Sequence, residues 1–229
     1  MYIDEAEYDS NDPRCPLVLI LDTSTSMGRP RVGPGGEPLE RAMEQLNRGL
    51  RALASELRND AVAERRVEIR VVTFGGQVRV QGDWQLAADW RPPTLTASGR
   101  TPMGEAIRTS LKIAQARREE LAEKGIASYR PWLFLLTDGE PTDDITVGAD
   151  AITAANRSHD SRQHVLFWPV AAQGANPDVL RTVDPSQPVL ALDETDWSSL
   201  FQWVSHALAG VSRSRPGEQL KIQPWTITL

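Results

Sequence analysis

The stretch Leu17 to Met27, LVLILDTSTSM, decides how the rest of the sequence is interpreted. Its first five residues are all apolar, and a short run without a polar face is typical of a strand buried on both sides of a parallel sheet. The run ends abruptly in Asp22, Ser24 and Ser26. Ligands of open α/β sheets bind outside the carboxyl ends of the strands, so we expect these three side chains to line a site.

Two strands and two helices are predicted from the apolar spacing in the first half of the chain. Val67 to Val80 predicts two strands joined by a tight hairpin at Gly75-Gly76, which places one antiparallel strand at a sheet edge. Apolar residues spaced by four and three predict an amphipathic helix from Pro38 to Leu57. Pro102 begins a second helical pattern. The Gly- and Pro-rich segment 28–38 is expected to be a surface loop, and Trp84 and Trp90 to lie in a connection.

The second half of the chain continues the alternation. Further strands are predicted after Pro131, from His164 and over Val189 to Leu192, and further helices over Ala149 to Asn156 and along the face that carries Trp197, Leu200, Phe201, Val204 and Leu208. Strands that alternate with helices of this length indicate a mostly parallel sheet. We therefore predict a doubly wound α/β fold, with a mostly parallel central sheet, one antiparallel edge strand and helices on both faces.

Length and composition indicate one globular domain. The chain has 229 residues, of which 40% are hydrophobic and 24% charged, and these values are ordinary for such domains. We assign residues 1–15 to an N-terminal arm, 16–210 to the domain and 211–229 to a C-terminal extension. Whether that extension docks as a strand or stays mobile is left open.

Charge and cysteine usage limit the partners and the compartment. The net charge is −6 without a long basic run, which argues against nucleic-acid binding. No apolar stretch approaches the ~20 residues of a membrane helix, and the acidic start does not resemble a secretory signal. Cys15 is the only cysteine, as expected in a reducing compartment. We expect a cytoplasmic protein that binds proteins or small molecules.

Three segments can meet at one end of the predicted sheet. They are residues 22–26 after the first strand, Ser98 to Pro102 before the second helix, and Thr137 to Gly139 after the central apolar run. They offer oxygen ligands without histidine or thiolate. Hard divalent cations prefer such ligands, so magnesium fits better than zinc, with Asp22 and Asp138 as the charged groups.

Each segment also has a simpler interpretation. Thr101 before Pro102 suits a helix N-cap. Ser24 and Ser26 could cap the turn that follows the first strand, and Asp138 before Gly139 could be an ordinary turn residue. The three segments together favour a metal site over these separate explanations.

The motifs DTSTS at 22–26, Thr101 in SGRTPMGEAI and TDG at 137–139 resemble a von Willebrand factor A domain. In that family these motifs form the metal-ion-dependent adhesion site, in which a divalent ion receives an acidic side chain from a partner. The resemblance implies that the metal ligands, for Mg²⁺ or else Mn²⁺ or Ca²⁺, are Asp22, Ser24, Ser26, Thr101 and Asp138.

A narrower resemblance links the chain to the bacterial TerY branch, which is associated with tellurium resistance and stress. It rests on CPLVLILDTSTSM, GRTPMGEAI, YRPWLFLLTDGEPTD and the segment DWSSLFQWVSHALAGVSRSRPG. Members of that branch tend to be encoded beside a serine/threonine kinase and a metal-dependent protein phosphatase. The resemblance therefore implies a scaffold with these two enzymes as partners.

The expected function is binding without catalysis. A phosphatase-like hydrolase of the haloacid dehalogenase type is the enzymatic alternative, but the acid expected two residues after its aspartate is Ser24 here. An ion that only ties the loops together is a third interpretation, and direct binding of tellurite or another oxyanion is a fourth. We expect the segment from Gly28 to Glu37 to form part of the rim of the site.

Overall fold

The computed structural model describes residues 12–33, 35–172, 174–192 and 197–216. Six strands form the central sheet, whose order is Gln77–Leu86 (β5), Val67–Gly75 (β4), Cys15–Asp22 (β1), Trp132–Thr137 (β6), Leu166–Ala171 (β7) and Leu190–Ala191 (β8). Two short strands, Arg31–Val32 (β2) and Pro38–Leu39 (β3), pair separately. All neighbours in the central sheet are parallel except β4 and β5.

Helices cover both faces of this sheet, which confirms the predicted fold class. They are Ala42–Arg58 (α1), Ala63–Arg66 (α2), Met103–Glu123 (α3), Thr146–Arg157 (α4), Pro177–Arg181 (α5) and Trp197–Arg213 (α6). Apolar residues of α1 and α6 form one core with one face of the sheet, and those of α3 and α4 form a second core with the other face.

Strand β1 lies between these two cores. Leu17 and Leu19 point into the core of α1 and α6, whereas Val18 and Ile20 point into the core of α3 and α4. All eight residues of the strand are buried. Because side chains alternate between the faces of a strand, a strand covered on both faces needs apolar residues at every position.

The segment between β1 and α1 differs from the prediction. Residues expected to form a loop contain β2 and β3, and Pro38 belongs to β3 instead of beginning a helix. Helix α1 begins at Ala42, where a Glu44 carboxylate oxygen accepts the backbone N–H of Arg41 at 3.1 Å. This contact holds the first turn of the helix, so the apolar spacing extended the predicted helix too far towards its N-terminus.

The edge strand is also longer than predicted. The hairpin at Gly75-Gly76 is present, but β5 runs to Leu86, so Trp84 lies in the strand and not in a connection. A shift of register between Ile69 and Val71 accommodates the extra length. The short helices α2 and α5 were not predicted, since each has too few residues to show a helical period.

The ends of the chain are described only in part. Cys15 belongs to β1 and Arg14 bridges to Ser128, so the last residues assigned to the arm join the sheet. Helix α6 runs to Arg213, beyond the boundary set at residue 210. The arm up to residue 11, the extension from residue 217 and the side chain of Trp197 lie outside the described residues. None of the described helices is long and apolar enough to span a membrane.

Candidate metal centre

The carboxyl ends of β1 and β6 bring the first and third candidate segments together. Leu21 is in register with Leu136, so Asp22 and Thr137 follow side by side. The Asp22 carboxylate is fully buried, and both of its oxygens accept hydrogen bonds. Its Oδ2 accepts from the Thr137 hydroxyl at 2.5 Å and its Oδ1 from the Ser24 N–H at 2.7 Å.

The two serines extend this arrangement towards Asp138. The Oγ atoms of Ser24 and Ser26 lie 2.8 Å apart, and Ser26 Oγ donates to Asp138 Oδ1 at 2.7 Å. Ser24 occupies the N-cap of the 3-10 turn Thr25–Gly28, but its side chain makes no cap bond. Capping therefore does not account for the Ser24 hydroxyl.

The loop that carries Thr101 is held against the end of β1 by hydrogen bonds. The N–H and the hydroxyl of Thr25 both donate to the carbonyl of Gly99, at 3.0 and 3.1 Å. Gly99 has a φ of 77° and lies so close to the backbone of Gly76 that a Cβ would be 2.5 Å from its nitrogen. Only glycine satisfies both conditions. Thr101 itself is buried.

Thr101 is not the N-cap of α3, contrary to the capping alternative. Pro102 occupies that position without a side-chain cap bond. The Asp143 carboxylate instead accepts from the N–H groups of Gly104 and Glu105, at 3.1 and 2.9 Å. Sequence reasoning did not pair Asp143 with this helix, because no sequence signal connects a cap to a helix 39 residues away.

Gly139 marks the point at which the three segments converge. A Cβ on Gly139 would lie 3.3 Å from Ser26 Oγ, 3.7 Å from Thr101 Oγ1 and 3.8 Å from Asp22 Oδ2. The remaining two candidates, Ser24 and Asp138, are hydrogen-bonded to Ser26. The structure thus places all five predicted residues in one cluster of oxygen atoms.

Burial disfavours the ionised form of both carboxylates in this cluster. Desolvation raises the pKa of Asp22 to about 6, against the opposing effect of hydrogen bonds from Ser24 and Thr137. Desolvation also raises the pKa of Asp138, while the Ser26 hydroxyl and the charges of Arg29 and Arg31 act to lower it. A positive charge beside these groups would favour their ionised forms.

The donor set fits a hard divalent cation. Two carboxylates and three hydroxyls suit Mg²⁺, Mn²⁺ or Ca²⁺ better than Zn²⁺, which prefers nitrogen and sulfur. In the part of the chain that the structure describes, no group of three or more His, Cys, Asp or Glu residues could hold a metal. An ion at this site therefore depends on the serine and threonine hydroxyls.

The cluster opens into a cavity of about 520 Å³. Ser26, Thr101 and Asp138 form part of its wall, and the other lining residues are Arg29, Arg31, Gly139, Glu140 and Gly174. The two arginines come from the segment predicted to form the rim. Their position beside Asp138 was not predicted, because the sequence pattern indicates a surface loop here but not which residues the loop contacts.

Comparison with known proteins assigns the family. The von Willebrand factor type A domain matches residues 17–204, and the chain belongs to this family. Domains of this class are commonly metal-dependent protein-interaction modules. A search of curated protein sequences finds no match.

Solved structures share the fold at low sequence identity. Proximal thread matrix protein 1 from the mussel byssus has a TM-score of 0.56 at 15% identity, covering 86% of this chain and 48% of that one. This chain therefore spans about half the length of the mussel protein. BatB from Bacteroides thetaiotaomicron has a TM-score of 0.56 at 17% identity, covering 87% and 100%. Manganese-loaded TRAP protein from Plasmodium vivax has a TM-score of 0.50 at 15% identity, covering 82% and 72%.

Proposed function

We propose that this chain is a protein-binding module that uses a divalent cation to bind an acidic side chain of its partner. The observation that carries the proposal is the convergence of two hydroxyls and one carboxylate around Gly139. The cation is Mg²⁺, or alternatively Mn²⁺ or Ca²⁺, and its ligands, directly or through water, are Asp22, Ser24, Ser26, Thr101 and Asp138. The manganese-loaded TRAP protein, a structure of the same fold, supports a divalent ion.

The balance of charges favours an acidic partner. Asp22 and Asp138 neutralise the charge of a divalent cation, whereas the hydroxyls of Ser24, Ser26 and Thr101 add no charge. Neutral ligands leave the ion able to accept a further anionic oxygen. The cavity beside Thr101 and Asp138 leaves room for a side chain that enters from outside.

We further propose binding without catalysis, in the cytoplasm, as a scaffold for a serine/threonine kinase and a metal-dependent protein phosphatase. The support for these partners and for a role in stress or tellurium resistance is the motif resemblance to the TerY branch. The residue two positions after Asp22 is a serine whose N–H binds that aspartate at 2.7 Å, so a general acid is missing there. Magnesium-dependent hydrolysis of p-nitrophenyl phosphate that is lost in Asp22→Asn would contradict the non-catalytic role.

Partner capture with and without magnesium tests the proposal. The tagged chain is used to isolate proteins from its native cell in Mg²⁺ or in EDTA, as wild type, Ser26→Ala and Ser98→Ala. Ser98 is exposed and does not line the cavity of the metal cluster, so it is the matched serine control. We expect a partner that wild type and Ser98→Ala retain only in Mg²⁺ and that Ser26→Ala loses.

Two other outcomes would contradict the binding role of the ion. Capture that is unaffected by EDTA would place the interaction surface elsewhere on the domain. A Ser26→Ala protein that is strongly destabilised but still captures the partner would indicate an ion that only ties the loops together.

A further inference from the structure

Two arginines share the cavity with the metal cluster. Arg29 and Arg31 line it together with Ser26, Thr101 and Asp138. The backbone before these arginines is held in place, because Met27 is fully buried and the Arg29 N–H donates to the Ser26 carbonyl at 2.9 Å. The backbone at Gly28 also packs closely against Ala97, since a Cβ on Gly28 would lie 2.8 Å from Ala97 Cβ.

The charge of these arginines reaches the metal cluster. Arg29 and Arg31 line the same cavity as Asp138, and their positive charges act to lower the pKa of that carboxyl group. Arg29 is exposed, and no ion pair or hydrogen bond between described residues engages its side chain. Arg29 is therefore available to an anion that enters the cavity from outside.

The cavity is larger than a single bridging group requires. One water needs only about 10 to 15 Å³ of such space, whereas the cavity measures about 520 Å³. An ion and one carboxylate group leave most of it to be filled by other parts of a partner. The wall of that remaining space carries guanidinium groups, which pair with carboxylates in a two-pronged geometry.

A bound ion makes this cavity more positive. Its charged lining residues are two carboxylates, Asp138 and Glu140, and two arginines, Arg29 and Arg31. A divalent cation held by Asp22 and Asp138 adds two positive charges beside them. An acidic segment is therefore attracted more strongly when the ion is present.

We propose that Arg29, with the charge of Arg31 in the same cavity, determines specificity by binding a second acidic side chain of the partner segment. The first acidic side chain of that segment binds the ion. The inference rests on the proposed function, and it narrows the partner to a protein segment that carries two acidic residues close together. A single acidic residue suffices for the ion but leaves Arg29 without an anionic partner.

Glu140 sets a limit on this preference. It lines the same cavity, and its Oε1 accepts a hydrogen bond from Asn176 Nδ2 at 3.2 Å. Its charge repels an incoming acidic segment and offsets part of the attraction by the arginines. Glu140→Gln should therefore strengthen binding, in the direction opposite to the arginine variants.

The experiment uses a random peptide library displayed on phage. Peptides are selected on the full chain in Mg²⁺ and eluted with EDTA. The selected peptide and two versions, in which either acidic residue is replaced by its amide, are titrated by fluorescence anisotropy. The proteins are wild type, Arg29→Gln, Arg31→Gln and Glu140→Gln, with Arg79→Gln on the exposed edge strand as the control.

We expect selected peptides with two nearby acidic residues. Replacing the acidic residue that binds the ion should abolish metal-dependent binding. Replacing the other acidic residue should weaken binding roughly fivefold. Arg29→Gln should weaken binding of the intact peptide by a similar factor. In this variant, replacing the acidic residue that does not bind the ion should cause no further loss of affinity. Glu140→Gln should tighten binding, and Arg79→Gln should match wild type.

The two proposals fail in different ways. If no peptide is eluted by EDTA, the proposed function is wrong and the inference falls with it. If peptides with a single acidic residue are eluted, and neither arginine variant changes their affinity, the metal-dependent function stands and the inference is wrong. Because Arg29 is exposed, its variant remains informative even if Arg31→Gln unfolds the domain.

Discussion

The Ser26 hydroxyl donates a hydrogen bond of 2.7 Å to Asp138, a residue 112 positions further along the chain. The contact arises because β1 and β6 are parallel neighbours, so the loops at their carboxyl ends meet. The hydroxyl proton partly satisfies a carboxylate whose pKa is raised by burial. A bound cation would stabilise the ionised form of this carboxylate more strongly than the hydroxyl does.

Gly139→Ala should block metal binding without unfolding the protein. The new methyl group would lie 3.7 Å from Thr101 Oγ1, an ordinary contact, and 3.3 Å from Ser26 Oγ, a tight contact that a shift of the hydroxyl by a few tenths of an ångström relieves. It would fill the space between the ligands. We expect the metal-free melting temperature to change little and the increase produced by Mg²⁺ to vanish; for wild type that increase corresponds to about 2.7 kcal/mol at a hundredfold excess over Kd.

The control for this substitution is Gly210→Ala in α6, where no described atom lies within 4 Å of the added methyl group. It should keep the wild-type response to Mg²⁺ in the same thermal titration. An unchanged response in Gly139→Ala would show that the ion does not lie between these ligands.

Ionisation of Asp22 should lower the free energy of unfolding of the metal-free protein as the pH rises. Its pKa is about 6 in the folded protein against an ordinary 3.8, so the folded state binds the proton more tightly than the unfolded state. The stabilisation is therefore complete below about pH 4 and is lost as the pH rises through about 6, by roughly 3 kcal/mol.

Asp22→Asn isolates this effect, because an amide at that position cannot ionise. Urea unfolding of both proteins in metal-free buffer should show equal trends below about pH 4 and a growing advantage of the variant towards pH 7. A difference between the two proteins that does not vary with pH would contradict the assignment to Asp22.

Local patterns predicted the fold because each relevant signal is contained in a short stretch of chain. The all-apolar run from Leu17 to Leu21 reports burial on both faces, and Gly75-Gly76 reports the hairpin. The start of α1 was misplaced because Leu39 continues the apolar spacing, whereas its backbone pairs with Arg31 in the two-stranded sheet of β2 and β3. A pairing between distant residues overrode the helical period there.

At the site, too, local sequence signals were predictive and contacts between distant residues were not. Four of the candidate ligands could be predicted because they follow the ends of predicted strands, and Thr101 because it directly precedes a predicted helix. The Asp143 cap on α3 and the place of Arg29 beside Asp138 depend on how separate loops meet. That information lies in tertiary packing, which a single sequence does not display.

Arg117 on α3 should contribute strongly to stability through Glu68 on β4. The Glu68 side chain is only 3% exposed, and Arg117 Nη2 and Nε lie 2.5 and 3.1 Å from its Oε2. Arg117→Ala would leave this carboxylate buried and unpaired, which costs about 3–5 kcal/mol. It would also remove the guanidinium from the face of Trp84, 5.9 Å from the ring centroid.

Lys124→Ala is the matched control, because Lys124 pairs with Glu120 where both side chains are well exposed. That pair should contribute less than about 1 kcal/mol. Urea unfolding at neutral pH compares the two variants. Equal losses would show that the Glu68 ion pair is no more important than one on the surface.

Two glycine-to-alanine substitutions in helices should change stability in opposite directions. At Gly49 in α1, a Cβ would lie 2.2 Å from the ring of the fully buried Phe201 in α6. The added methyl group forces these packed helices apart, at a cost of about 1–3 kcal/mol. That cost exceeds the roughly 1 kcal/mol that alanine contributes to helix propensity at most.

At Gly210 the same substitution meets open space and the position is exposed, so only the gain in helix propensity remains. We expect Gly210→Ala to raise the free energy of unfolding by about 0.5–1 kcal/mol and Gly49→Ala to lower it, both measured by urea unfolding. A stabilised Gly49→Ala would mean that α1 and α6 separate at little cost. The contact between Gly49 and Phe201 would then not determine how the two helices pack.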